Sequence, residues 1–238
     1  GKSTWASDAP KPICIQTEDG MDDIGMARFP LCKSMEDVCN CLDTLAHDEH
    51  NYSTVVMDSA DWCEALVHEQ VCRDGEKANI ADFGFGRGYV QALNLWRDIL
   101  SRLDRLYEEK SMAIILIAHA HVEKFADPAG EAYDRYMPRL HQNSKGVGSS
   151  PLIREWVDEC LFAAMQTDTV SEDEGFGKTR TRAIGGKRVL HTTAKPAFLA
   201  KNRLRNCPET IDLSWSAYAD AVKAHYDQLD DEAEESGF

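Results

Sequence analysis

Val55-Val56-Met57-Asp58-Ser59 is a short apolar run closed by an acid and a hydroxyl. From Thr54 to Met57 the run is too short for a helix and rich in valine, the pattern of a parallel strand buried on both faces. The chain opens on Gly1-Lys2-Ser3-Thr4, the last four residues of the phosphate-binding pattern G-x-x-x-x-G-K-[ST]. In such a loop the backbone N–H groups and the lysine hold phosphates, while the hydroxyl and an acid from a distant strand hold magnesium. Gly1, Lys2, Ser3 and Thr4 are therefore expected to bind nucleotide, with Lys2 catalytic, Ser3 and Asp58 as metal ligands, and ATP and Mg2+ as the bound species. Gly-Lys-Ser-Thr alone carries little weight; Asp58 at the end of a hydrophobic strand gives it force. The strand and first glycine of the pattern do not precede Gly1, and there is no initiator methionine, so the natural N-terminus is expected upstream.

The 238 residues suffice for one large α/β domain with a buried core. Apolar residues at 43% and five tryptophans point to a globular fold. The net charge of -15 argues against a broad basic footprint for duplex DNA, while a local basic loop along a single strand stays compatible with it. Much of the acid lies between Asp227 and Glu235, so residues 227–238 are expected as a solvated acidic tail behind a single domain over 1–226. Eight cysteines without a Cys-x-x-Cys pair read as reduced thiols of a cytosolic protein. Cys39 and Cys41, two apart in a helical pattern, fall on different faces. No apolar stretch reaches the length of a membrane span, and no signal peptide is visible, a point left open by the N-terminus expected upstream.

Helical and strand patterns alternate along the chain. Ser3 to Ala9 suits a short helix stopped by Pro10 and Pro12, and Ile13 to Thr17 a short strand running into Glu18-Asp19-Gly20. Met35, Val38, Cys39, Leu42, Leu45 and Ala46 recur at helical spacing behind Ser34, with Asp37 placed for a capping box. A helix is expected from Asp61 to about Val71. A longer one, Tyr89 to Glu108, carries Leu93, Trp96, Leu100, Leu103 and Tyr107 on one stripe and leads into Ala113 to Ala118, the most hydrophobic strand. This order implies right-handed crossovers and a mostly parallel sheet with helices on both faces. Val122 to Ser150 is polar and carries Pro and Gly breakers, as a long functional loop would. Pro151 to Val157 returns to helix. Leu161 to Gln166, Arg188 to Thr193 and Ala197 to Ala200 read as strands of a C-terminal antiparallel extension, with Ser171 to Gly186 as a charged hairpin excursion. There is no internal repeat.

In a doubly wound sheet, ligands bind beyond the carboxyl ends of the strands. Lys2 and Ser3 open the helix whose start would face the phosphates, and Glu18, Asp58 and His119 close three successive strands. Singly, Glu18 also reads as a turn acid, Asp58 as a helix cap and His119 as a hydrogen-bonded residue at a strand edge; on one rim they read as a site. Lys124, Phe125, Tyr133, Arg135, Tyr136, Arg139, His141 and Lys145 interleave cations with aromatics, a mixture suited to single-stranded nucleic acid. Glu123, Asp127, Glu131 and Asp134 dilute that field, so an ordinary solvated loop is the other reading. Gly84-Phe85-Gly86-Arg87-Gly88 looks like a phosphate cradle but has no hydrophobic strand before it, and reads as a flexible loop feeding the long helix. His119 and His121 with Asp58 or Glu123 lack a further histidine or cysteine at zinc spacing.

Gly1 to Thr4, Pro12 to Gly20, Tyr52 to Asp61, Asp82 to Tyr89, Ile114 to His121 and Pro196 to Arg203 together resemble the RecA-like P-loop ATPases, and most closely the phage-encoded AAA-type ATP-binding proteins associated with phage recombination and single-strand annealing. The resemblance covers nearly the whole chain. It implies a RecA-like α/β fold and magnesium-dependent ATP hydrolysis in phage DNA recombination or replication. It implies a homo-oligomer acting with single-stranded DNA and phage recombination proteins in the cytoplasm of a bacterial host, away from any membrane. By the same resemblance, Glu18 polarises the attacking water and Asp58 with Ser59 forms the Walker B end. His119 falls where RecA has a glutamine that senses the γ-phosphate and passes the signal to the following DNA-binding loop, for which Lys124, Phe125, Arg135, Tyr136, Arg139 and Lys145 are the candidates. Lys201 and Arg203 would enter a neighbouring subunit's site.

Those roles make physical sense, because phosphoryl transfer rests on charge neutralisation and an oriented water. On an extended strand Lys201 and Arg203 would face the same way, although a solvated basic strand edge fits these residues equally. Two further readings stay open: a nucleotide or metabolite kinase that uses its polar loop as a lid, and a nucleotide-dependent partner-binding module without turnover. Lys201-Asn202-Arg203 favours an interface-assembled ATPase over the kinase, and Glu18 argues against lost turnover.

Overall fold

Four short strands, β1 (Pro12–Gln16), β2 (Ala27–Arg28), β3 (Thr54–Asp58) and β4 (Ala113–Ile117), pair in parallel in the order β2-β1-β3-β4. The computed structural model describes residues 1–173 and 179–236. β3 is buried along its whole length, as expected of a valine-rich central strand. Alternation along the strands sorts the core into two faces. Cys14 and Val56 join Ala6 of helix α1 (Lys2–Ser7), Met21, Met26 and Ile117 in one cluster. Ile13, Ile15, Val55 and Met57 point the other way and are equally buried.

Three longer helices complete this part of the molecule: α2 (Met35–His47), α3 (Ala60–Asp74) and α4 (Arg87–Lys110). The Ser34 hydroxyl caps α2 by accepting from Asp37 N at 3.1 Å. The reciprocal leg differs from a capping box, because Asp37 Oδ2 accepts from Lys33 N, one residue before the cap, at 2.8 Å. α4 is longer than its apolar periodicity predicts. Leu93, Trp96, Leu100 and Leu103 are buried, but the stripe closes on Leu106 while Tyr107 is 65% exposed. Ile99, Leu103 and Leu106 set the centre of the buried face, and Tyr107 falls past its edge. Each fully buried side chain of this size contributes about 1.5–3 kcal/mol.

β4 is bordered by β3 alone among the described residues, so its isoleucines at 114 and 115 are only half-buried. The expected long polar loop after it is largely a β-hairpin: β5 (Ala120–Phe125) pairs with β6 (Tyr133–Pro138). The Phe125 and Tyr133 rings lie 5.4 Å apart, and the Arg135 guanidinium stands 4.8 Å from the Phe125 centroid. Such cross-strand pairs stabilise a short ladder, and the Asp127-Pro128-Ala129-Gly130 breakers mark only its turn. Helix α5 (Ser149–Trp156) follows. Ahead of α4, Gly84, Phe85 and Gly86 have successive φ values of 64°, 49° and 72°, a left-handed run for which glycine at two of three positions costs least.

Three antiparallel strands form a sheet of their own, β7 (Phe162–Asp173), β8 (Thr179–His191) and β9 (Thr210–Asp212), in that order. β7 and β8 run deep into the segment predicted as a hairpin excursion, whose residues 174–178 lie outside the described ones. The strand predicted over Ala197 to Ala200 does not form. Lys195 and Phe198 bond to each other through both backbone groups, at 3.2 and 3.1 Å, closing a turn over Pro196-Ala197, where proline's fixed φ is at home. Helix α6 (Trp215–Ser236) then continues through the acidic run that begins at Asp227. The chain divides into two compact units, Gly1–Glu123 with Tyr136–Trp156, and Lys124–Arg135 with Val157–Phe238. No helix among the described residues is long and apolar enough to cross a membrane.

One buried acid organises the first unit beyond the sheet. Glu64 of α3, 7% exposed, accepts from His141 N at 2.8 Å and from the Ser149 hydroxyl, and so ties the segment after β6 to α3. The Tyr89 ring stacks on His141 at 3.8 Å. Burial pushes the neighbouring His68 down to about 4, so it is neutral at physiological pH. Burial also raises the Glu64 carboxyl, against the opposing pull of its hydrogen bonds from Ser149 and His141. The folded state thus keeps this proton above the pH at which the unfolded chain releases it. Stability from Glu64 is full below the ordinary glutamate pKa and declines as pH rises through the raised one. Denaturation series should show Glu64→Gln removing that decline, whereas Glu64→Ala, which strands the His141 N–H, should cost roughly 2–3 kcal/mol below the ordinary glutamate pKa and less as pH rises through the raised one.

Candidate nucleotide site

The parallel register sets Gln16, Asp58 and Ile117 level across the sheet, so the residues that follow them share its carboxyl rim. Thr17 lashes two strand ends together. Its N–H donates to Asp58 O at 2.9 Å, its hydroxyl donates to Ser59 O at 2.6 Å, and it accepts from Ser59 N at 2.9 Å. Glu18 N also reaches Asp58 O, at 3.3 Å. Thr17 and Ser59 are buried, and the Asp58–Ser59 peptide is cis.

Against this rim stands the start of α1. Ser3 Oγ donates to Asp58 Oδ2 at 2.5 Å, across 55 residues of sequence, and Asp58 is 8% exposed. A hydroxyl and a carboxylate oxygen converging on one point are hard donors. They fit magnesium, which takes few protein ligands and completes its shell with phosphate oxygens and water. Ser59 Oγ donates to Glu18 Oε2 at 3.3 Å, leaving the other Glu18 oxygen without a partner among the described residues.

His119 follows β4 and faces Glu18, with Nδ1 3.8 Å from Glu18 Oε2. It is bound more tightly to Asp61 in the first turn of α3, at 3.0 Å from Nδ1 to Oδ2. Burial pushes the Asp61 carboxyl up, but the hydrogen bonds from the N–H and ring of His119 outweigh it and hold the group below its usual range. Ser3, Glu18, Asp58 and His119 are thus gathered at one end of one sheet, with Gly1, Lys2 and Thr4 at the start of α1 beside them.

The other candidates lie elsewhere. Lys124, Phe125 and Arg135 belong to the second unit, with Lys201 and Arg203, while Tyr136, Arg139 and Lys145 belong to the first. Lys201 exchanges backbone bonds with Cys160 at 2.8 and 2.7 Å and is otherwise outside any strand. Arg203 pairs with Asp158 at 2.8 Å. The two cations therefore do not share a face through strand alternation. Lys145 lies in a turn where Asn143 Oδ1 accepts from its N–H at 2.9 Å. Sequence reasoning missed Thr17 and Asp61. The signal for Asp61 was a second acid three residues after Asp58, which reads as an ordinary first-turn helix acid.

The family model described as an AAA domain matches residues 1–204. No curated protein matches the chain.

Proposed function

The chain belongs to the AAA domain family, whose members are nucleotide-binding ATPase domains, and on that premise we propose that it binds ATP with Mg2+ and hydrolyses it. The contact of Ser3 Oγ with Asp58 Oδ2 carries this reading, since it brings a phosphate-loop hydroxyl onto a strand-end acid with Glu18 on the same rim. Ser3 and Asp58 would hold magnesium, and Lys2 with the backbone N–H groups of Gly1 to Thr4 the phosphates. When bound, the metal neutralises phosphate charge. Glu18, held by its main-chain bond to Asp58 and by the Ser59 hydroxyl, orients the attacking water, and His119 meets the terminal phosphate.

The finer reading is a homo-oligomer that couples turnover to single-stranded DNA in phage recombination or replication, in the cytoplasm of a bacterial host. The aromatic and cationic side chains of the β5–β6 hairpin support it, because Phe125, Tyr133 and Arg135 offer stacking faces and positive charge. So does the fact that this hairpin follows His119 directly in sequence.

The test is magnesium-dependent ATP binding and hydrolysis by a chain in which Gly1 continues from the remainder of a G-x-x-x-x-G loop. Asp58→Ala should weaken magnesium-dependent binding at least about tenfold, ~1.4 kcal/mol. Unchanged affinity in that variant would detach Asp58 from the metal and with it the proposed site.

A further inference from the structure

His119 is gripped by a single carboxylate at both its main chain and its ring. Its N–H donates to Asp61 Oδ1 at 3.0 Å, and its Nδ1 lies 3.0 Å from Asp61 Oδ2 and 3.3 Å from Oδ1. The acid side chain is 6% exposed and the imidazole 40%. A carboxylate only accepts, so the hydrogen in this contact sits on Nδ1. The second carboxylate on that side, Glu18 at 3.8 Å, favours the same placement. Nε2 has no partner among the described residues. The carbonyl of His119 accepts from Arg139 N at 2.8 Å, so the residue is fixed on both sides of its peptide.

We propose that Asp61 is a positioning residue of the nucleotide site: it holds His119 with the proton on Nδ1 and its ring turned so that Nε2 is the nitrogen offered to the terminal phosphate. The inference rests on the ATPase reading for its consequence, but its first measurement does not need turnover. An acid used merely as a favourable charge in the first turn of a helix would not spend both oxygens on one residue just past the end of β4. Orienting partners of this kind decide which imidazole nitrogen meets the ligand.

The first test uses the chain itself, labelled in its histidine rings, in long-range proton–nitrogen spectra at mildly alkaline pH without nucleotide. His119→Gln identifies the His119 signals by their loss. A proton on Nδ1 of His119 is the expected result, and an unprotonated Nδ1 overturns the proposal without any variant of Asp61 having to fold. In a folded Asp61→Ala protein the proton population should move toward Nε2, the position free histidine favours in water; an unaltered pattern would overturn the proposal as well. In the chain with a complete phosphate loop, Asp61→Ala should lower kcat about 10–100-fold with KM for ATP changed less than about twofold. An equal loss in KM, with kcat retained, would make Asp61 a binding-site scaffold and end the positioning role. A wild-type protein with an Nδ1 proton but no ATPase activity would instead refute the ATPase reading and leave the clamp standing.

Discussion

Arg203→Ala should lower ATP turnover by about 10³–10⁵-fold if the side chain acts as a finger in a neighbouring subunit's site, the scale on which such arginines work. The variant should fold normally. Arg203 and its partner Asp158 are 68% and 73% exposed, and an ion pair that open to water is worth about 0–1 kcal/mol. For the same reason, releasing Asp158 to reach a phosphate costs little. The residue lies beyond the Lys195–Phe198 turn and outside any strand, so the reach comes from a turn and a long side chain, with no strand face to align it with Lys201. The check is steady-state hydrolysis by Arg203→Ala alone and mixed with Asp58→Ala. Mixing should restore part of the activity, because some interfaces would pair an intact site with an intact arginine. Normal turnover in Arg203→Ala, or a monomer at working concentration, would remove the interface role and favour the kinase reading.

Glu18→Gln should retain ATP binding and lose about 10²–10⁴-fold in turnover, the range over which a positioned acid–base group contributes. Glutamine keeps the length of the side chain and can still accept from Ser59 Oγ, the 3.3 Å contact that holds Glu18 now. The main-chain bond from Glu18 to Asp58 is untouched. What disappears is the negative charge that, on the proposed reading, would align a water and draw its proton. Binding measured by nucleotide titration and turnover measured by phosphate release should therefore separate in this variant. Undiminished hydrolysis would return Glu18 to the role of a turn acid.

Local signals carried a large part of the fold. Thr54 to Met57 is too short and too β-branched to be anything but a buried strand, and α4 announces itself through Leu93, Trp96, Leu100 and Leu103 at helical spacing. Because parallel strands deliver their ends to one edge, the sequence alone places Glu18, Asp58 and His119 on a common rim. The hairpin of β5 and β6 was hidden because its stability lies in Phe125 meeting Tyr133 and Arg135 across the ladder, a pairing that one-dimensional polarity does not reveal. The failed strand at Ala197 to Ala200 has the same origin: the backbone bonds between Lys195 and Phe198 compete with extension.

Within the site, residue types and strand ends were thus determined by the sequence alone: a lysine and hydroxyl at the start of one helix, an acid or histidine at the end of each of three strands. Tertiary structure alone decided the partnerships. Ser3 meets Asp58 across 55 residues, Thr17 locks Ser59, and Asp61, to all appearance a first-turn helix acid, takes both the N–H and the ring of His119, 58 residues away. Periodicity records which face of an element is buried, because that depends on neighbours one turn or two residues along. Which donor meets which acceptor depends on register between strands and on how the first turn of α3 lies against the end of β4, and no local pattern encodes either.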